Sequence, residues 1–311
     1  MTAIQQTERF THPALFYRGD QEYLAGLVPF IEEGLSLDEP VAMAVPADRL
    51  ALLRDALGPT ADGVRMLDMT RAGRNPGRII PGVLRQFADQ HTGGHVRIIG
   101  EPIWPGRTDR EYPACVQHEA LINLAFTGRD VTIVCPYDAD GLDSRTLMDA
   151  VATHPVLWEG DRRSISEQYA PERVVADYNQ ELPAPAEAPT CVVNDTAGLA
   201  FARQFVATRA RELGLAGERV EDLTLMINEL ASNSLAHAGS SCRIRIWREG
   251  ADVIAETGDS GYLRDPLAGR RPTEPGQLGG RGLLLVNHLA DLVRTHTTPT
   301  GTTIQIHCHI R

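Results

Sequence analysis

A carboxylate and an amide lie one helical turn apart in the last third of the chain. Glu229 and Asn233 belong to the stretch INELASNSLAHA, residues 227–238. Side chains four residues apart stack on one face of a helix. A carboxylate there can take a proton from a hydroxyl or a water as a general base. The amide oxygen one turn later can ligate Mg²⁺, a hard cation that prefers oxygen.

Two later stretches supply groups that suit an adenine nucleotide. The motif DSG at 259–261 follows an apolar, strand-like run, so Asp259 would end a strand and accept hydrogens from an adenine amino group. Gly261 lets the chain turn close past the base. The motif GGRGL at 279–283 precedes an apolar helix expected over 283–292. Glycines before a helix expose backbone N–H groups to phosphate at the positive end of the helix dipole.

The spacing of apolar residues predicts the helix that must carry the first pair. Leu223, Ile227, Leu230 and Ser234 fall at helical spacing, and Gly239 stands where a C-terminal cap is expected.

The basic residues narrow the ways in which phosphate can be held. All 30 of them are arginines, which excludes a P-loop lysine, a Schiff-base lysine and a protein-kinase strand lysine. A phosphate clamp must therefore use arginine, backbone N–H groups or Mg²⁺. The formal net charge of −11 disfavours direct binding of nucleic acid.

These three motifs, in this order, resemble the GHKL (Bergerat) ATP-binding family, and the first is closest to its anti-sigma kinase branch. The resemblance covers roughly residues 190–311 and implies a two-layer α/β sandwich that binds ATP and Mg²⁺. Members of that branch phosphorylate a serine on a STAS anti-anti-sigma partner and sequester a sigma factor. They are usually dimeric through the ATP domain, so a homodimer is also implied.

The resemblance assigns Glu229 as catalytic base, Asn233 as Mg²⁺ ligand and Asp259 as adenine reader. Arg203 stands where the family often meets its protein partner. The other positions that it assigns to the nucleotide site are Asn228, His237, Gly261, Gly280, Arg281, Gly282, Leu283 and Thr302. The chain departs from the family in two ways. Leu263 stands where the family has a second glycine, and the lid between Asp265 and Gly279 is short.

Two other functions fit parts of this pattern. A non-catalytic module would hold ATP and sequester its partner without phosphorylating it, but the intact Glu229 argues against that function. A histidine kinase core would need a helical hairpin with an exposed histidine, and residues 156–200 contain a proline-rich stretch instead.

That stretch, PAPAEAP, divides the chain. It predicts an extended linker over 181–189, between a first domain of residues 1–180 and a second of 190–311. In the first domain, strand-like runs alternate with helical patterns, which predicts a three-layer α/β fold around a mostly parallel sheet. The predicted strands are 41–45, 64–67, 96–99 and 131–134, and the predicted helices are 48–57, 77–90, 110–126 and one starting after 144.

Polar and aromatic residues follow several of these strands, and ligands of open α/β sheets bind at that edge. The patterns HxxxxY at 12–17, GExxW at 100–104, ExLxN at 119–123, CPYD at 135–138 and HP at 154–155 resemble the MEDS sensory domain. That resemblance implies a RecA-like fold without a P-loop and a small-molecule ligand. The residues predicted to form the sensory site are His12, Tyr17, Glu101, Trp104, Glu119 and Tyr137.

Single members of this set also have a purely structural interpretation. Trp104 and Tyr137 would serve as packing aromatics, Cys135 as a small buried hydrophobe, and His154 as the end of a helix before a proline. Glu119 would need a partner on the inner face of its helix.

The cysteines and the hydropathy predict the cellular setting. The five cysteines show no Cys-x-x-Cys pair, which indicates reduced thiols. No apolar run is long enough to span a bilayer and no signal peptide is evident, so a cytoplasmic protein is expected. The sequence therefore predicts a cytoplasmic switch, in which a sensory domain controls an ATP-dependent serine kinase.

Overall fold

The computed structural model describes residues 10–272 and 280–310. Its contacts divide these residues into two compact units. The first contains residues 10–73 and 82–178, and the second contains residues 74–81 and 179–310 without the gap. None of the described helices is long and apolar enough to cross a membrane.

The described part of the first unit builds one eight-stranded sheet, which is mostly parallel. Its strands are β1 (Phe10–Thr11), β2 (Pro13–Tyr17), β3 (Val41–Val45), β4 (Val64–Asp68), β5 (Val96–Gly100), β6 (Val131–Asp138), β7 (Val156–Glu159) and β8 (Arg162–Ile165). Their order is β4-β3-β5-β6-β2-β7-β8, and β1 also pairs with β6. Only the β7–β8 pairing is antiparallel among those described. The four predicted strands and the mixed α/β class are confirmed.

Helices connect these strands. They are α1 (Gly19–Ser36), α2 (Ala47–Leu57), α3 (Met69–Ala72), α4 (Arg85–Ala88), α5 (Tyr112–Ala125), α6 (Ser144–Thr153) and α7 (Pro171–Asp177). The continuous helix predicted over 77–90 is wrong in its first part, where a 3₁₀ turn and a π turn precede α4. Pro76 and Pro81 lack the N–H groups that a regular α-helix needs.

The second unit is a two-layer sandwich of helices on an antiparallel sheet. Its strands are β9 (Thr190–Val193), β10 (Cys242–Glu249), β11 (Asp252–Asp259), β12 (Leu292–Thr298) and β13 (Gly301–His309), in the order β12-β13-β11-β10-β9. Its helices are α8 (Gly198–Glu212), α9 (Glu218–Asn233) and α10 (Arg281–Leu289). Apolar residues alternate along β10 and β11, so one face of the sheet packs on the helices in a single core.

The proline-rich stretch lies on the other face of this sheet. Ala184 and Ala188 pack with Trp247 and Ile254. The Gln305 side chain donates a hydrogen bond to the backbone oxygen of residue 183 at 3.0 Å. Residues predicted to be a linker therefore cover the outer apolar face of the second unit.

A segment from the first third of the chain, residues 74–81, also belongs to the second unit. Asn75 is fully buried there and its Nδ2 donates to the Asn287 backbone oxygen at 2.8 Å. Asn287 lies on α10, and its own side chain donates to the Gly269 oxygen at 3.0 Å. Buried amides that bond in series hold the backbone positions that they join.

Candidate functional site

The predicted carboxylate–amide pair lies on α9 and borders the start of α10. Val220, Leu223, Ile227 and Leu230 are among the residues that bury one stripe of α9 against the core. Glu229 and Asn233 are half-buried, off that stripe.

Gly282, in the first turn of α10, lies close to both of these side chains. A Cβ at Gly282 would lie 3.0 Å from Glu229 Oε2 and 3.2 Å from Asn233 Nδ2. The backbone of the first turn of α10 therefore borders both the carboxylate and the amide. A side chain at position 282 would fill this space.

The helix predicted over 283–292 is present as α10 (Arg281–Leu289), but it begins inside the glycine motif and ends before Leu292, where β12 begins. Gly280 caps it in the left-handed conformation, with φ of +78°. The first-turn N–H groups of this helix have no acceptor within the helix, so they can meet an anion. Gly279, which belongs to the same motif, lies outside the described residues.

A second polar corner forms around Asp259 at the end of β11. Its Oδ2 accepts a hydrogen bond from the Ser234 hydroxyl at 2.5 Å, and its Oδ1 accepts from the Gly261 N–H at 2.8 Å. The Thr302 hydroxyl donates to the Gly261 oxygen at 2.8 Å. A Cβ at Gly261 would lie 2.7 Å from the Ala238 Cβ, so only glycine fits this turn. Asp259 keeps free lone pairs for an amino group, because a carboxylate accepts about four hydrogen bonds.

Two consecutive residues connect the Gly282 neighbourhood with the Asp259 neighbourhood. Asn233 faces Gly282, and Ser234, the next residue, holds Asp259. The sequence interpretation placed Ser234 on the apolar stripe and missed this role. The available signal was a hydroxyl at a buried helical position, because such a group needs a partner.

The remaining predicted residues of the second unit lie around this centre. Asn228 lies next to Glu229 along α9, and its Oδ1 accepts from Arg203 at 2.9 Å. Leu283 packs against the core of the unit. His237 and Arg281 are exposed.

The six sensory candidates of the first unit fall into three neighbourhoods. In one, the Glu101 carboxyl group is buried and accepts from Tyr17 at 3.4 Å and from Tyr23 at 3.1 Å. The Arg49 guanidinium lies 5.3 Å and 4.9 Å from the centres of these two rings. Burial raises the pKa of Glu101 to about 8 and raises the pKa of both tyrosines.

In the second neighbourhood, Glu119 meets two imidazoles. Its Oε2 lies 3.4 Å from His12 Nε2 and 3.1 Å from His154 Nε2. The Cys135 thiol lies 3.4 Å from His12 Nε2, and the Tyr137 ring packs edge-on against His154. Burial lowers the pKa of His12 to about 4. Glu119 thus lies beside two imidazoles, and the buried Cys135 and His154 both contact polar groups of this neighbourhood.

The third neighbourhood contains Trp104. The Arg107 guanidinium stacks 4.0 Å from the centre of the Trp104 ring and donates to the Pro102 oxygen at 2.9 Å. This arrangement fixes the loop that follows β5.

Family models match both halves of the chain. Residues 11–155 match the MEthanogen/methylotroph, DcmR Sensory (MEDS) domain, and residues 192–308 match the histidine kinase-like ATPase domain. The chain is therefore a MEDS domain followed by a histidine kinase-like ATPase domain, as the two resemblances implied. The family of the second unit implies ATP as its ligand.

Two solved structures are similar to part of the chain. One contains the RsbU and RsbW domains of Rv1364c from Mycobacterium tuberculosis, at 18% identity and a TM-score of 0.30, over 39% of this chain and 32% of that chain. The other is the SiaB–SiaC complex from Pseudomonas aeruginosa, at 10% identity and a TM-score of 0.30, over 38% of this chain and 88% of that chain. The chain thus spans about a third of the length of the first. No curated protein matches it.

Proposed function

We propose that the second unit is an anti-sigma-type serine kinase that acts under the control of the sensory first unit. The observation that carries this proposal is that Glu229 and Asn233 both border Gly282, in the first turn of α10. In this proposal the carboxylate is the base, the amide is the Mg²⁺ ligand and the first-turn N–H groups of α10 bind phosphate. Phosphoryl transfer requires little more than positioning and neutralisation of charge.

ATP would lie between the Glu229–Asn233 pair and Asp259. Asp259 would accept hydrogens of the adenine amino group, beside Gly261 and Thr302. Asn233 would ligate Mg²⁺ on the phosphates, and the first turn of α10 would receive them. Arg281, exposed in that turn, would add the positive charge that no lysine can supply here.

The chemistry then needs one proton acceptor. A serine hydroxyl oxygen of the partner forms a bond to the γ-phosphorus as the bond to the β,γ-bridging oxygen breaks, and ADP leaves. Glu229 takes the hydroxyl proton during this transfer. General-base catalysis of this kind contributes about 10²–10⁴-fold to a rate.

A protein partner fits the outer side of α8 and α9. Arg203, Arg211, Leu225 and Asn228 line a groove between these helices. Arginine side chains around a partly apolar groove are typical of protein interfaces. A STAS anti-anti-sigma protein or a sigma factor would bind there, which keeps Arg203 as a partner-binding residue.

The signal would be a small molecule that binds the first unit beside the Tyr17–Glu101 pair. Residues 74–81 offer a route for coupling, because they enter the second unit from the first third of the chain and hold α10 through Asn75. A ligand can shift this contact only if it binds two arrangements with different affinities.

The test is transfer of labelled phosphate from Mg²⁺-ATP to a panel of STAS proteins from bacteria that encode such a fusion. Glu229→Gln should slow transfer by about 10²–10⁴-fold and leave ATP affinity nearly unchanged. Glu218→Gln, at the exposed start of the same helix, is the matched control. Partner binding without transfer by the wild type would overturn the kinase and favour the non-catalytic module.

A further inference from the structure

Four potential metal ligands from distant parts of the chain converge inside the first unit. His12 lies between β1 and β2, Glu119 on α5, Cys135 on β6, and His154 directly after α6. One ligand atom of each lies within 4.8 Å of all the others. Exposure of each residue is 1% or less. We name these four residues the HECH cluster.

Its distances suit a four-coordinate ion. The separations between ligand atoms are 3.4 Å for His12 Nε2 to Glu119 Oε2, 3.1 Å for His154 Nε2 to the same oxygen, and 3.4 Å for Cys135 Sγ to His12 Nε2. Bonds of about 2.0–2.3 Å to a tetrahedral Zn²⁺ place neighbouring ligand atoms about 3.3–3.7 Å apart. Small movements of these side chains would complete the geometry.

Hydrogen bonds leave both Nε2 atoms available as ligands. Asn123 Nδ2 donates to the Thr153 oxygen at 2.8 Å, so its Oδ1 faces His12 and accepts from Nδ1 at 3.2 Å. His154 Nδ1 donates to the Ala150 oxygen at 2.8 Å, because a carbonyl can only accept. A histidine that donates its other ring N–H to an oxygen is the usual outer support of a metal ligand.

Without a cation, the cluster leaves its carboxylate poorly satisfied. Neither oxygen of Glu119 has a hydrogen-bond partner of good geometry among the described residues, nor does His154 Nε2. Neutral imidazoles would direct lone pairs at the carboxylate, and the Cys135 thiol can give its proton to only one acceptor. A buried carboxylate that lacks hydrogen bonds is costly.

A divalent cation would balance the charges. One carboxylate and one thiolate carry two negative charges, which two neutral imidazoles leave unchanged. Sulfur and imidazole ligands select borderline-soft metals such as Zn²⁺ over Mg²⁺ or Ca²⁺. Four protein ligands and complete burial describe a closed site, which holds its metal rather than using it in catalysis.

We propose that the HECH cluster binds one transition-metal ion of the zinc class and thereby fastens β2, α5, β6 and the end of α6 to one another. The ligands are 107, 16 and 19 residues apart along the chain, so no compact sequence motif marks them.

Elemental analysis of the purified full chain tests this proposal. We expect about one zinc per chain in the wild type, and a loss of most of it in Cys135→Ser and His154→Gln. His95→Gln and Cys115→Ser change a histidine and a cysteine of the same unit outside the cluster and should keep the metal. A folded wild-type chain that contains no metal and takes up none would overturn the proposal.

Cobalt substitution removes the dependence on variants that fail to fold. The wild type, stripped of metal and loaded with Co²⁺, should show intense visible bands of tetrahedral coordination and a thiolate-to-cobalt charge-transfer band. A spectrum of bound cobalt without the thiolate band would place the metal elsewhere and contradict the assignment. ATP binding by the second unit is a separate readout, so failure of this proposal and failure of the kinase proposal are distinguishable.

Discussion

Two polar clusters among the described residues both contain carboxylates, but they lie at different depths. The HECH cluster in the first unit is wholly buried, and four separate elements supply it. Glu229, Asn233 and Asp259 in the second unit are half-buried and lie at the ends of a helix and a strand. Both clusters contain carboxylates, so the presence of a carboxylate does not by itself show which ligand each cluster binds.

Depth of burial decides what each cluster can bind. A closed group of ligands suits an ion that stays, because the protein must open before the ion leaves. A half-buried group at the start of a helix suits a ligand that enters and leaves during turnover. The first cluster should therefore govern stability, and the second should govern affinity and rate.

The largest expected effect comes from breaking the closed cluster at its carboxylate. Glu119→Leu should lower the free energy of unfolding of the first unit by about 3–5 kcal/mol, the usual result of removing one partner from a buried ionic group. Hydrogen exchange of α5 under increasing urea reports this unit. Glu159→Gln, exposed on β7, serves as the control. A change below about 1 kcal/mol would mean that the cluster does not hold the unit together.

The Glu101 carboxyl group should make the stability of the first unit depend on pH. Burial raises its pKa from 4.5 to about 8, so the folded unit keeps a proton that the unfolded chain releases. This contribution is complete below pH 4.5 and is lost as the pH rises toward about 8. The loss should amount to a few kcal/mol, because one pKa unit corresponds to about 1.4 kcal/mol.

Thermal unfolding of the wild type and of Glu101→Gln across this pH range measures the effect. The variant should lose most of the slope, while Glu32→Gln on the exposed side of α1 should retain it. Equal slopes in all three proteins would show that Glu101 ionises normally.

A methyl group at Gly269 should disturb the half-buried cluster of the second unit, because it would displace α10. Its Cβ would lie 2.5 Å from the Leu283 Cβ and 2.8 Å from the Leu283 carbonyl carbon, at a φ of +71°. We expect Gly269→Ala to destabilise the second unit by about 1–3 kcal/mol through overpacking and backbone strain. Gly250→Ala has a similar φ of +61° with open space around it, so it measures the strain alone. Equal unfolding midpoints for the two variants would exclude the overpacking.

The smallest expected effect is the loss of the hydroxyl that holds the adenine reader. Ser234→Ala removes the hydrogen bond to Asp259, worth about 1 kcal/mol. ATP affinity should fall by up to about tenfold, whereas Ser232→Ala, two residues earlier on α9, should bind normally. An unchanged dissociation constant in Ser234→Ala would mean that Asp259 is positioned without it.

Local patterns predicted much of the second unit. Three features depend on neighbours within a few residues: the helix carrying Glu229 and Asn233, the left-handed cap at Gly239 of the π turn that follows this helix, and the strand ending at Asp259. The parallel strands of the first unit could be predicted equally well, because buried strands form short apolar runs in the sequence.

Contacts between distant residues could not be predicted in this way. The MEDS resemblance grouped His12, Glu119 and His154, but local spacing does not indicate that their side chains meet, because they lie far apart along the chain. The same holds for Asn75, whose partners lie more than two hundred residues away. The helix expected over 77–90 is wrong for a local reason, because Pro81 lies inside the span and Pro76 directly precedes it.

Calorimetric titration of the purified full chain with Mg²⁺-ATP tests most directly whether the half-buried cluster is a nucleotide site. We predict one ATP per chain, with affinity weakened more than about tenfold in Asp259→Asn by the loss of a charged acceptor. Asp252→Asn, at the other end of the same strand, should bind as the wild type does. Absence of ATP binding by the folded wild type, or equal binding by Asp259→Asn, would contradict this assignment.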